Sequence, residues 1–176
     1  PTTVGILTAA AAVGTFSTSL LSGPVARINR YGLAIGRAIT VYGAFMVLFG
    51  VVILAGMLGA FGSVGNDWSE VSVLGLSLAA FCFVGMGASD EVSAIFRSTI
   101  LMTAAPDEMR GRIQGVFFSL VAGAPRLGDL FTGLLAVSIA LWAPALFGGL
   151  GIIVLITVLL RTNKRFRNYD NRTPEL

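Results

Sequence analysis

The chain alternates between long stretches without a charged side chain and short clusters that carry the charge. The first uncharged run extends from Pro1 to Ala26 and meets Gly23-Pro24 near its end, where a helix leaving a bilayer should stop or bend. It predicts a helix over Thr3 to Ser22. Arg27, Arg30 and Arg37 bracket a polar connection, and the run that follows breaks up at Gly62 to Asp67, giving a second helix over Leu33 to Phe61. A third apolar segment, Val71 to Ala104, is interrupted by Asp90, Glu91 and Arg97 and closed by Pro106 with Asp107 and Glu108. Ile113 to Ser138 predicts a fourth helix with Pro125, Arg126 and Asp129 near its middle, where the proline should bend it locally. Pro144 to Leu160 predicts a fifth. Residues 161 to 176 are polar throughout and read as a solvated tail, leaving residues 1 to 160 as the bundle.

Each run is near or above the roughly 20 residues that span a hydrocarbon core about 30 Å thick. Composition agrees: 55% of the 176 residues are hydrophobic, 12% are charged, and mean hydropathy is +0.85. The fold class expected is an all-α, polytopic integral membrane bundle of five helices. Because Pro1 is not a methionine and the apolar pattern begins at once, the sequence reads as the remainder of a longer protein.

Charge placement gives an orientation. Lys and Arg follow the first, third and fifth runs, at Arg27, Arg30 and Arg37, at Arg110 and Arg112, and from Arg161 onward, and are missing after the second and fourth. The positive-inside rule then places Pro1 outside and Leu176 in the cytoplasm, with Trp68 and Trp142 at the outer interface, in a plasma (inner) membrane. The net charge of +3 follows from this topology and argues against nucleic acid as a partner. With no His and a single Cys82, imidazole metal sites, His-based catalysis and an internal disulfide are excluded, so neither a metal, a cofactor nor an enzymatic activity is expected.

The chemistry lies in charges that hydrocarbon disfavours by about 2.5 to 3.5 kcal/mol each. Asp90, Ser93 and Arg97 fall at i, i+3 and i+7, which lines them along one helix face, while Glu91 points about 100° away. Arg126 and Asp129 are i, i+3 neighbours able to pair. Two readings stay open: groups facing a water-filled cavity that bind substrate or carry protons, or structural ion pairs and snorkelling residues. The glycines, including the Gly32 to Gly36 and Gly111 to Gly115 spacings and Gly85 with Gly87, suit close helix approach. The alternative for Gly85, Gly87 and Gly123 is that they are flex points in a moving protein.

The sequence resembles the C-terminal half of a major facilitator superfamily transporter, in the enterobactin (siderophore) exporter-like branch. The resemblance is carried by Thr3-Val4-Gly5-Ile6-Leu7, by Glu91-Val92-Ser93-Ala94, by Pro106-Asp107-Glu108-Met109-Arg110-Gly111-Arg112 and by the Gly128-Asp129 step. It implies that the five helices correspond to helices 8 to 12 of a twelve-helix fold, with the third and fourth lining a central cavity. It further implies export of a small molecule by alternating access coupled to proton antiport, with Asp90 or Glu91 titrating, Arg97 as charge partner, and Arg126 with Asp129 as a gate or packing pair. The missing N-terminal half and the lipid bilayer are the implied partners. The connection Gly23-Pro24-Val25-Ala26-Arg27-Ile28-Asn29-Arg30-Tyr31-Gly32 resembles a degenerate form of the family's Gly-x-x-x-Asp-Arg-x-Gly signature, with Arg27 in the Asp position. A multidrug or other organic-solute exporter, or a non-transporting assembly module, remains as an alternative.

Overall fold

In a hydrocarbon solvent every backbone polar group must be paired within the protein, and an uninterrupted apolar run of about 20 residues does this as a helix, each segment satisfying its own backbone. The computed structural model describes residues 2–21, 23, 30–61, 73–104 and 107–163. Among these, the long elements are α1 (Thr2–Leu20), α2 (Tyr31–Met57), α3 (Val73–Ala104), α4 (Arg110–Ser138) and α5 (Ala143–Thr162). A short 3₁₀ turn (Asp107–Met109) runs into α4. All five helices are long and apolar enough to cross a membrane, as the hydrophobic runs predict. The tail from residue 164, the Gly62 to Asp67 break, Trp68, Pro24, Arg27 and Pro106 lie outside the described residues.

Hydroxyl side chains follow the same solvent logic. Thr8 donates to the Val4 carbonyl at 2.9 Å, Thr40 to Gly36 at 2.8 Å, Ser89 to Gly85 at 2.7 Å and Thr157 to Ile153 at 2.6 Å. Each hydroxyl turns back on the preceding turn of its own helix, so a polar side chain sits in an apolar face without an orphaned donor.

Helix ends depart from the hydrophobic pattern for local reasons. α2 stops at Met57 rather than Phe61 because Gly59 takes φ +80°, a left-handed conformation that a side chain disfavours. The Gly59 and Ala60 amides then bond back to the Gly56 and Ala55 carbonyls, both at 3.0 Å, closing a Schellman-type end. α4 begins at Arg110, so Arg110, Gly111 and Arg112 form its first turn and not a connecting loop. Pro125 is accommodated within a continuous α4.

The helices form a row in the order α1, α3, α2, α5. Glycine sets the spacing. Gly36, Gly43 and Gly50 of α2 recur every seventh residue, and so do Leu160, Ile153 and Leu146 of α5, which meet them in antiparallel order. A Cβ on Gly43 would lie 2.8 Å from Ile153 Cγ1, and one on Gly50 would lie 2.9 Å from Leu146 Cγ. Without a hydrophobic driving force between helices in lipid, this close van der Waals approach is the main attraction available. On the other side of the row, Gly14 of α1 abuts the Val84 carbonyl of α3, and Gly87 of α3 abuts the Ala11 carbonyl of α1. Tyr31 and Phe96, with ring centroids 5.1 Å apart, join Ile35 in the buried cluster between α2 and α3.

α4 stands apart. No residue of α4 is buried, and it touches α3 and α5 only lightly. Nothing lies within 4 Å of the space a Cβ would take at Gly111, Gly115 or Gly123. The small-residue spacing that works as a contact at Gly36 therefore makes none at Gly111 and Gly115.

Candidate functional site

The site is built on the second half of α3, where the chain commits three ionisable residues to an apolar helix. Asp90 and Arg97, seven residues apart and so on one face, form an ion pair: Arg97 Nη2 donates to Asp90 Oδ1 at 3.0 Å. The Arg97 Nε also donates to the Ser93 carbonyl at 3.3 Å, which keeps the guanidinium along the helix. The predicted stripe is therefore an ion pair laid over one exposed side of α3, its side chains 65% exposed at Asp90 and 40% at Arg97.

Ser93 lies beneath the stripe. It is buried, and its hydroxyl has no hydrogen-bond partner among the described residues. A buried hydroxyl left unmade costs about 1–3 kcal/mol, so the position is polar without a structural return from its oxygen.

Glu91 faces elsewhere, as its 100° offset requires. Ser19 of α1 donates its hydroxyl to Glu91 Oε1 at 2.9 Å, and one turn further along α1, Thr15 donates to the Gly87 carbonyl at 3.3 Å. These two bonds hold α1 and α3 in parallel register. Tyr42 of the neighbouring α2 lies within electrostatic reach of Asp90. Neither Ser19 nor Tyr42 could be found by spacing: the first is 72 residues from Glu91, and each belongs to a helix whose rotation only the assembled bundle fixes.

Arg126 and Asp129 are both exposed on α4, and no ion pair joins them. The basic residue precedes the acidic one, the less favourable order for a helical pair, and no neighbouring helix holds the two together. Arg110, Gly111 and Arg112 are exposed at the α4 start. Of the degenerate signature, Arg30 immediately precedes α2, Gly32 is buried in its first turn, and Gly23 has open space around it. Among the described residues no group of His, Cys, Asp or Glu could hold a metal ion.

Comparison with known proteins gives one consistent set of relatives. The chain is similar to bacterial enterobactin exporters. It is 27% identical over 149 residues to "Enterobactin exporter EntS" of Escherichia coli O1:K1, a match covering 82% of this chain and 34% of that protein. The counterpart in Citrobacter koseri is 27% identical over 143 residues, covering 77% of this chain and 33% of the relative. The chain thus spans about a third of the length of the curated relatives it matches. No family model matches the chain. No solved structure matches it either. The resemblance read from the sequence and the relatives found by comparison are the same, and these relatives are exporters rather than enzymes. With five apolar helices, this makes the chain a multi-pass membrane protein.

Proposed function

We propose that this chain is the C-terminal part of a major facilitator superfamily transporter that exports a siderophore-like organic molecule by alternating access, driven by proton antiport. The observation that carries the proposal is the similarity to enterobactin exporters over 82% of the chain. The remaining helices come from more of the same polypeptide and close over the exposed side of α3 and α4. Charge asymmetry supports an inner-membrane orientation with the basic ends cytoplasmic.

In this reading the Asp90–Arg97 pair and Glu91 face the water-filled pathway that ionisable residues in a span require. Asp90 and Glu91 exchange protons, and Arg97 compensates Asp90 or contacts an anionic substrate group. The Ser19 hydroxyl both donates and accepts, so it bonds to Glu91 as carboxylate and as acid alike, and the α1–α3 link survives the change of charge. Arg126 and Asp129, unpaired here, serve as a gate that closes against the other half.

The test is flux in vesicles holding the complete reading frame and loaded with enterobactin. Saturable efflux accelerated by an imposed pH gradient is expected, with that acceleration lost on combining Asp90→Asn and Glu91→Gln. Absence of efflux would sink the exporter reading, and efflux indifferent to the gradient would sink proton coupling.

A further inference from the structure

A second feature lies on the opposite side of α3 from the ion pair. A groove of about 750 Å³ opens between α1, α2 and α3, within the range of small-ligand sites. Its α3 wall includes Ala88 and Val92, each about 200° around the helix from Asp90 at 100° per residue. The groove therefore lies on the other side of α3 from the Asp90–Arg97 pair, and Glu91 is not among the residues that line it. Its walls are largely apolar, with Leu33, Ala34 and Val41 facing Ala88 and Val92, and its Ser89 hydroxyl is already turned back to Gly85.

One end is different. Arg30 and Arg37 both line the groove. Arg30 caps the start of α2 and Arg37 lies about two turns into it. Among the described residues neither forms an ion pair, the described one being Arg97 with Asp90. Depth fits a headgroup. α2 has 27 residues, about 40 Å at 1.5 Å each, which exceeds the roughly 30 Å of hydrocarbon by about 10 Å. Counting about 20 residues back from Met57 reaches Ala38, which leaves Arg37 and Arg30 at and beyond the boundary.

We propose that this groove binds one anionic phospholipid, its phosphate held by Arg30 and Arg37 and an acyl chain laid along the apolar wall. Guanidinium groups match phosphate oxygens in charge and fork geometry, and basic pockets between transmembrane helices take such headgroups. A free phosphate would meet the two arginines but leave the apolar wall exposed, and a zwitterionic lipid would offset its phosphate with its own cation.

Native mass spectrometry of the full-length protein in detergent, titrated with phosphatidylglycerol or phosphatidylcholine, tests this. The unaltered protein should prefer phosphatidylglycerol by about twenty-fivefold, roughly fivefold for each arginine. Combining Arg30→Gln with Arg37→Gln should bring the two lipids within about twofold. Arg161→Gln, at the same end of the bundle but outside the groove, should leave the preference intact. Val41→Trp, which fills the groove, should weaken both lipids. The proposal fails if the unaltered protein shows no preference, a result that needs no variant to fold. It fails as well if the double variant keeps the preference, or if equimolar inorganic phosphate displaces the lipid, which would mark a free-anion site.

Discussion

Ile153 of α5 lies in the space that a side chain on Gly43 of α2 would occupy, 2.8 Å from the Cβ position. The same exchange of glycine for an aliphatic side chain recurs seven residues away in both directions, so α2 and α5 are joined by a seam with a fixed period.

The seam predicts a ranking of substitutions. At Gly36 the obstacle is the tip of Leu160, which can rotate away, whereas at Gly43 the carbonyl of Gly149 also stands 3.0 Å from the Cβ position. Gly43→Ala should therefore destabilise the bundle by about 1–3 kcal/mol, and Gly36→Ala by clearly less. Unfolding midpoints in mixed dodecyl sulfate micelles measure both, and equal shifts would show that α5 moves as a rigid unit.

Between α1 and α3 the obstruction is backbone on backbone. Alanine at Gly14 would meet the Val84 carbonyl, and alanine at Gly87 the Ala11 carbonyl. Either change should push the helices apart and break the Ser19–Glu91 bond, a larger loss than at Gly36. Gly123→Ala, with nothing within 4 Å, should instead leave stability unchanged or raise it by up to about 1 kcal/mol through helix propensity. The same micelle titration separates the three.

The Asp90–Arg97 pair allows its two roles to be distinguished. In a water-filled pathway a pair this exposed should show a coupling of about 0.2–1 kcal/mol in a double-mutant cycle of Asp90→Asn and Arg97→Gln. A single removal costing about 3–5 kcal/mol would identify a dry structural contact instead.

Cys82 is 1% exposed and is the chain's single cysteine, so it reports directly on the bundle. A maleimide should not label it in the folded protein and should label it fully once dodecyl sulfate unfolds the bundle. In a Cys82→Ala background, Val137→Cys should react at once in this chain alone, because Val137 on α4 is 91% exposed. Protection of Val137→Cys in the complete reading frame would show that the remaining helices cover α4.

The hydrophobic pattern revealed the five helices because each depends on its own run of residues, and it revealed the Asp90–Arg97 stripe because one helix carries both partners. Where two helices must meet, the pattern was silent. Gly36 and Gly43 fit any small-residue spacing until Leu160 and Ile153 are set against them, and Glu91 has no visible partner until α1 is turned to bring Ser19 beside it. Arg126 and Asp129 show the limit of spacing from the other side: it allows a pair, and in this structure the unfavourable order and the lack of a packed neighbour leave the two side chains apart.

The α2–α5 seam also bears on how the chain is made. α2 leaves the ribosome well before α5, with α3 and α4 synthesised between them. α3 can dock on α2 early, but the glycine side of α2 must wait, open to any helix small-residue contacts will accept. Completion of the row is therefore a late, long-range event, and a nascent chain halted before Ala143 would present Gly36, Gly43 and Gly50 as a surface for misassembly and quality-control degradation.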